Sequence, residues 1–266
     1  MDELVSVIIT TYERPQFINR CINSVLSQSY KNIEIILIDD GSSKTYPRFN
    51  SKKIRYFKNK KNKGSAYSRN LGIKKAKGEL IFILDDDILL TKRYIERLVR
   101  TLKEYKKENI VGVGGRLLYP QRPDKGIIKN KPLFEISKLT GDIILRASVN
   151  TKKPVVVPTL HSCSVFLKEV FDKVKYEEKL YRGNYTYVEP DFCFRIRKLG
   201  YKLMFEPRAI AYHYQLKEGG CRNMSNFLYN YSTVRNAFFF IWRFYKIKIL
   251  YMWPLFILKR LLKNEL

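Results

Sequence analysis

The chain has 266 residues, enough for one substantial hydrophobic core, with a second domain permitted but not required. Its formal net charge of +26, from 51 Lys and Arg against 25 Asp and Glu, favours an anionic partner such as nucleic acid, acidic lipid or a phosphorylated substrate, although a Lys-rich solvated surface explains a good share of it. Four cysteines, Cys21, Cys163, Cys193 and Cys221, form no C-x-x-C pair and argue against a disulfide scaffold or a thiolate metal site, and the acidic start Met1-Asp-Glu-Leu4 lacks the basic and apolar segments of a signal peptide, so a reducing, cytoplasmic setting is expected.

Val5 to Thr10 is a nearly continuous apolar, β-branched run, which predicts a strand covered on both faces. Pro15 suits the first turn of a helix in which Phe17, Ile18, Cys21, Ile22, Val25 and Leu26 recur at helical spacing. Ile33 to Ile38 predicts a second strand running into Asp39-Asp40-Gly41-Ser42, and Ile54 to Phe57 a third, followed by a basic loop and a helix near Ser65 to Ala76. A fourth run, Glu79 to Leu84, ends in Asp85, Asp86 and Asp87, before a helix over roughly Lys92 to Lys107 with Thr91 as its N-cap. Strands alternating with helices imply an α/β fold with a parallel sheet of βαβ units, in which ligands bind at the carboxyl ends of the strands. Thr10-Thr11-Tyr12, Asp39-Asp40 and the Asp triplet are therefore expected at one edge.

From Gln121 to Lys153 the pattern weakens, with Pro123 and Pro132 among many basic residues, as for a mobile or acceptor-facing insertion. Val155 to Val157 and Ser164 to Leu167 then predict strands, Glu189 to Leu199 a helix, and Lys202 to Tyr214 extended chain. No G-x-G-x-x-G follows the first strand and no G-x-x-x-x-G-K-[ST] occurs, so any phosphate is held mainly by metal and side chains. Adjacent carboxylates raise one another's pKa, and the triplet is relieved either by a solvated turn or by a hard cation. Oxygen ligands of this kind select Mg²⁺ or Mn²⁺, which complete their shell with substrate phosphates.

The order of these motifs resembles glycosyltransferase family 2, the inverting enzymes with the Rossmann-like GT-A fold, a mixed, mostly parallel sheet flanked by helices. Val5-Ser-Val-Ile-Ile-Thr-Thr-Tyr-Glu-Arg-Pro15 is similar to the family's opening strand and nucleotide loop, and Ile38-Asp-Asp-Gly-Ser42 to its second strand end. Asn62-Lys-Gly-Ser-Ala-Tyr-Ser-Arg-Asn-Leu-Gly72 resembles the N-x-G-x-x-x-x-R-N-x-G segment, and Leu84-Asp-Asp-Asp87 stands at the D-x-D position. The likeness covers most of residues 4 to 220. It implies that Thr10, Tyr12, Asp39 and Arg69 contact the nucleotide donor, that Asp85 and Asp86 border it, and that Asp85 and Asp87 serve the D-x-D function.

Glu189-Pro-Asp-Phe-Cys-Phe-Arg-Ile-Arg-Lys-Leu-Gly-Tyr201 is similar to the segment carrying the family's catalytic carboxylate, but Val188 stands where a Glu is usual and Glu189 takes the Asp position. Glu189 is the expected base, with Asp191 as its support and as the alternative; both could instead complement the helix N-terminus. His213, after Pro207-Arg-Ala209, falls where the family often has a metal-binding His, and is expected as a third ligand with Asp85 and Asp87. His161 has no such support. These residues imply a metal-dependent transfer of a sugar from a nucleotide-diphosphate sugar to a lipid-linked or oligosaccharide acceptor. A sugar-phosphate nucleotidyltransferase is the first rival, but Thr10 to Pro15 holds no glycine for its phosphate loop; a basic nucleic-acid-binding protein is the second, and no nucleic acid is expected.

A division into residues 1–220, the catalytic domain, and 221–266, a basic aromatic tail, follows. From Asn223 to Leu266 seven Lys or Arg face one acidic residue. Phe238 to Trp242 and Ile249 to Leu258 are apolar, but Arg243, Lys246 and Lys248 interrupt them and Pro254 is expected to break the second run. A spanning helix needs about 20 mostly apolar residues. Amphipathic helices lying on the cytoplasmic face of a membrane, with Trp242 and Trp253 at headgroup level, are one expectation; a helical pair packed on the core or on a partner is the other.

Overall fold

The apolar runs of the first half become parallel strands β1 (Val5–Thr11), β2 (Ile33–Asp39), β3 (Ile54–Lys58) and β4 (Leu80–Asp85) in a computed structural model that describes residues 2–121, 133–137, 139–140, 143–216, 218–220 and 224–262. The side chains of β1, β2 and β4 are buried almost throughout, with helix α2 (Ser65–Lys75) packed on β1 and β2 and helix α1 (Pro15–Leu26) on the short strand that follows β4, while β3 at the sheet edge is half-exposed. Pro15 opens α1, and Ile18, Cys21, Ile22 and Val25 form its buried stripe. Register fixes the edge on which chemistry can occur: Thr10 lies opposite Ile38 and Asp85, and Thr11 opposite Asp39.

After the Asp triplet the chain forms a short strand that the sequence pattern does not reveal, β5 (Ile88–Leu90), and then α3 (Tyr94–Glu104). The N-cap is Arg93 rather than Thr91, and no side chain caps it. Thr91 Oγ1 instead donates to the carbonyl of Ile210 at 2.6 Å, tying α3 to a distant strand. Strand β6 (Ile110–Leu118) was hidden by its glycines. A Cβ on Gly112 would lie 2.5 Å from the Phe166 ring, so close packing requires the residue type that weakens a strand signal.

Within the span read as an insertion, β7 (Phe134–Ile136) and β8 (Ile143–Leu145) pair as a separate hairpin; Pro123 and Pro132 lie outside the described residues. The remaining elements are β9 (Val155–Val157), β10 (Cys163–Leu167), α4 (Val170–Lys173), α5 (Val188–Lys198) and β11 (Lys202–His213). Among the described residues the main sheet has nine strands in the order β3-β2-β1-β4-β10-β6-β11-β5, with β9 also on β11. Strand β10 runs antiparallel between β4 and β6, so the sheet is mixed but mostly parallel.

Helices α6 (Asn226–Tyr245) and α7 (Ile249–Leu262) close the chain. Helix α6 buries Ala237, Phe240 and Ile241, and α7 buries Met252 and Phe256. Pro254 lies inside α7 and does not break it. The hydrogen bond it forgoes is to the carbonyl of Leu250, a residue 74% exposed, where water can replace the donor.

Candidate active site

Two loops shape the strand edge. Asp40 accepts from the backbone N–H groups of Lys63 and Gly64 at 3.0 and 2.8 Å, from Asn59 Nδ2 at 2.8 Å and from Ser68 Oγ at 2.9 Å. It thereby folds the basic loop onto the start of α2. Asp39 is buried, accepting from Ser42 N–H at 2.9 Å and from the Tyr56 hydroxyl at 2.8 Å. Tyr12 and Thr10 are half-buried at the end of β1, and the carbonyl of Tyr12 accepts from Gly220 N–H at 2.9 Å.

The Asp triplet is divided by the turn that follows β4. Asp86 turns inward, where Thr11 Oγ1 donates to it at 2.6 Å and Arg14 Nη1 lies 2.8 Å away. Burial pushes its pKa up to about 6, against the opposing pull of Arg14. Arg14 also donates to the carbonyls of Leu216, Glu218 and Gly219, so one buried guanidinium fastens the segment after β11 across the end of β4. Asp87 faces His213, with Oδ1 3.2 Å from Nε2, and its Oδ2 accepts from Leu216 N–H at 3.3 Å. Asp85 is the outward member, with its side chain 30% exposed. It accepts from Arg69 Nη2 at 3.0 Å and from Ser162 Oγ.

Arg69, on the buried face of α2, is shared. Its Nη1 lies 2.7 Å from Glu189 Oε1 while Nη2 holds Asp85, and its Nε is buried with no partner. Burial alone would lower its pKa, but the two carboxylates hold it above the ordinary value. Arg69 also sits over the Tyr176 ring, 5.4 Å from the centroid. The first turn of α5 thus meets the end of β4 through a single guanidinium.

Glu189 and Asp191 share that turn but not an environment. The Glu189 side chain is 24% exposed. Asp191 is fully buried and accepts from the Tyr181 hydroxyl at 3.1 Å, Arg195 at 2.7 Å and Arg243 at 2.8 Å. Both carboxylate oxygens of Asp191 are engaged by these donors away from solvent, whereas Glu189 reaches the rim.

The donor chemistry for a cation is present in part. Asp87 and His213 combine a carboxylate oxygen with an imidazole nitrogen, a pair that suits Mn²⁺ better than the oxygen-selecting Mg²⁺, and Asp85 would join them by giving up Arg69. Among the described residues no group of three or more His, Cys, Asp or Glu is arranged to hold a metal ion. His161 lies beside this cluster, with Nε2 2.7 Å from the carbonyl of Gly115 and Nδ1 buried without a partner. Burial lowers its pKa to about 4, which keeps the ring neutral. Neither Ser162 nor Tyr176 carries a sequence signal, because each reaches the site through β-sheet and loop placement alone; Arg14, inside the quoted Tyr12-Glu-Arg-Pro15, could have been found as a charge directly after a strand end.

A family model described as Glycosyl transferase family 2 matches residues 6–175. Glycosyltransferase GlyG of Streptococcus pneumoniae serotype 4 is 33% identical over 118 residues, which are 42% of this chain and 39% of that protein. An uncharacterized glycosyltransferase of Rickettsia typhi is 32% identical over 173 residues, 64% of this chain and 52% of that one. The chain thus spans about half or less of these relatives. Among solved structures, S. aureus TarS 1–349 in complex with UDP-GlcNAc superposes with a TM-score of 0.59 at 13% identity, covering 87% of this chain and 66% of that one. GalNAc-T7 with UDP, GalNAc and Mn²⁺ gives 0.64 at 20% identity, covering 81% and 44%. At such identities the likeness establishes the fold, which is GT-A-like.

Proposed function

Because the chain belongs to glycosyl transferase family 2, we propose that it is a metal-dependent, inverting glycosyltransferase that moves a sugar from a nucleotide-diphosphate sugar to a lipid-linked or oligosaccharide acceptor. The observation that carries this reading is the shared guanidinium of Arg69, which joins the rim carboxylate of α5 to that of β4 at the carboxyl edge of the sheet. A dianionic diphosphate arriving there is a stronger partner for a forked cation than either carboxylate alone. Arg69 turning to the diphosphate leaves Glu189 free to act as a base. Glu189 then takes the proton of the acceptor hydroxyl as that oxygen bonds to the anomeric carbon, and the bond from this carbon to the diphosphate oxygen breaks, its electron pair leaving with the nucleotide.

Thr10, Tyr12 and Asp39 border the nucleotide in this reading, with Asp86 holding the strand end from beneath through Arg14. Asp87 and His213, with Asp85, would hold Mg²⁺ or Mn²⁺, which supplies charge neutralisation for the departing diphosphate. Residues 1–220 carry these groups, and 221–266 carry a surface of a different kind.

That surface supports a membrane role. Phe227, Ile247 and Leu250 are 78%, 78% and 74% exposed, Trp242 is 55% exposed, and Lys246, Lys248 and Lys259 lie on the same two helices and their connection. Trp253 turns inward against Phe238, with ring centroids 5.3 Å apart, so Trp242 alone is offered to a headgroup layer. No described helix is long and apolar enough to cross a membrane. The helices pack on the core with one face and are proposed to lie on anionic lipid at the cytoplasmic surface with the other.

Screening nucleotide sugars for metal-dependent donor hydrolysis and thermal stabilisation tests the reading, since a ligand of the folded state raises its stability by mass action. A donor that stabilises and is cleaved only with Mg²⁺ or Mn²⁺ is the expected result. Equal cleavage after chelation would remove the metal, and no response to any nucleotide sugar would remove the reaction.

A further inference from the structure

The loop that delivers α5 is held in an unfavourable backbone conformation. Gly183, Tyr185 and Tyr187 all have positive φ, at +72°, +53° and +72°, and Tyr187 is the N-cap of α5 without any side-chain cap. Left-handed tyrosines persist only where surrounding contacts over-determine them. Helix α6 supplies those contacts. Asn184 Nδ2 donates to the carbonyl of Tyr229 at 2.9 Å and to Thr233 Oγ1 at 2.6 Å, and Asn236 exchanges hydrogen bonds with the backbone of Arg182. The rings of Tyr187 and Phe240 lie 5.1 Å apart, and a Cβ on Gly183 would collide with Ser232. On its other side the loop meets the donor edge, since a Cβ on Gly64 would fall 2.3 Å from the Tyr185 hydroxyl.

The strongest tie lies one residue past the proposed base and its proline. Arg243, near the end of α6, places Nη1 2.8 Å from Asp191 Oδ1 and Nη2 3.1 Å from Glu177 Oε2. Its fork therefore clamps the first turn of α5 to the beginning of the loop. Resting on Glu189 as the base, we propose that Arg243 is a positioning residue: acting through Asp191, it sets the helix turn that aims Glu189 at the acceptor hydroxyl, so the tail helix is part of the catalytic unit. A tail serving only attachment would need no arginine reaching from α6 to this buried carboxylate.

The test compares Arg243→Met and Arg243→Lys with the full-length protein, in donor turnover and in donor KM. A misaimed base costs rate at little cost in donor binding, so Arg243→Met is expected to lower kcat by about 10- to 100-fold with donor KM within about twofold. Arg243→Lys keeps the charge but not the fork, and is expected to fall between it and the parent. If Arg243→Met fails to fold, Arg243→Lys carries the test alone, with kcat expected about threefold down at constant donor KM; parental kcat in Arg243→Lys would then overturn the inference, as would parental kcat in a folded Arg243→Met. The same change in a Glu189→Gln background separates the two claims. No further loss there supports positioning of Glu189, whereas a further loss of equal size means Arg243 acts elsewhere and overturns it. Full activity of Glu189→Gln by itself would instead remove the base assignment on which the inference rests.

Discussion

Two of the chain's acidic clusters, Asp85 to Asp87 at a strand end and Glu189 to Asp191 at a helix start, each send one carboxylate outward and sink another among arginines. Asp86 is sealed by Arg14 and Thr11, and Asp191 by Arg195, Arg243 and Tyr181. The outward members, Asp85 and Glu189, meet on Arg69. They differ in what holds them. The first cluster inherits its position from the sheet, nine strands among the described residues, whereas the second depends on a strained loop and on side chains of helix α6. A donor edge built on a sheet and a base built on ion pairs should respond differently to mutation.

The largest contrast is expected within one helical turn. Glu189→Gln should reduce nucleoside diphosphate release at saturating donor by about 10³-fold, within the usual range for a lost general base, while calorimetry finds donor affinity nearly unchanged. Asp191→Asn should act first on the fold, with a loss of rate no larger than that of Arg243→Met because it reaches Glu189 only through the helix turn. It leaves Arg195 and Arg243 facing a neutral partner, and because both are partly exposed the expected loss is about 2 to 3 kcal/mol in denaturant unfolding, toward the low end for a broken buried pair.

How much of this was legible in the sequence follows the same contrast. The strands of the first half and the edge at which Thr10, Asp39 and Asp85 gather could be read because apolar runs and their polar ends are local signals. The division of labour inside each cluster could not, because it rests on partners far away in sequence, such as Arg14 for Asp86 and Arg243 for Asp191. Strand β6 was concealed by glycines chosen for tertiary packing, and Thr91 by a hydroxyl that serves Ile210 rather than its own helix. In the tail, composition spoke for both packing and lipid contact, and the structure gives each face of α6 and α7 a separate role to test.

At the donor edge, Asp87→Asn should weaken metal-dependent diphosphate binding by about 10- to 100-fold in protein whose circular dichroism matches the parent, with a lower unfolding midpoint because Asp87 is buried and paired with Arg14 and His213. Unchanged binding in metal-replete buffer would move the cation away from Asp87 and His213. The smallest effect is expected at the tail's outer face. Replacing Ile247 and Leu250 together by Asp should lower partition onto anionic vesicles by about tenfold or more without altering donor hydrolysis, because both side chains are exposed. Parental vesicle binding, or binding that does not weaken with salt, would assign that face to something other than lipid.

The central claim, that the outward carboxylate of α5 does the chemistry and the sunken one holds the helix, is tested most directly by measuring turnover and unfolding midpoint side by side for Glu189→Gln and Asp191→Asn. The expected outcome is a crossed pattern: Glu189→Gln folded, donor-bound and inactive, and Asp191→Asn destabilised, with residual transfer in whatever fraction stays folded. Near-parental turnover in Glu189→Gln, with loss of turnover at unchanged stability in Asp191→Asn, would contradict it and make Asp191 the base.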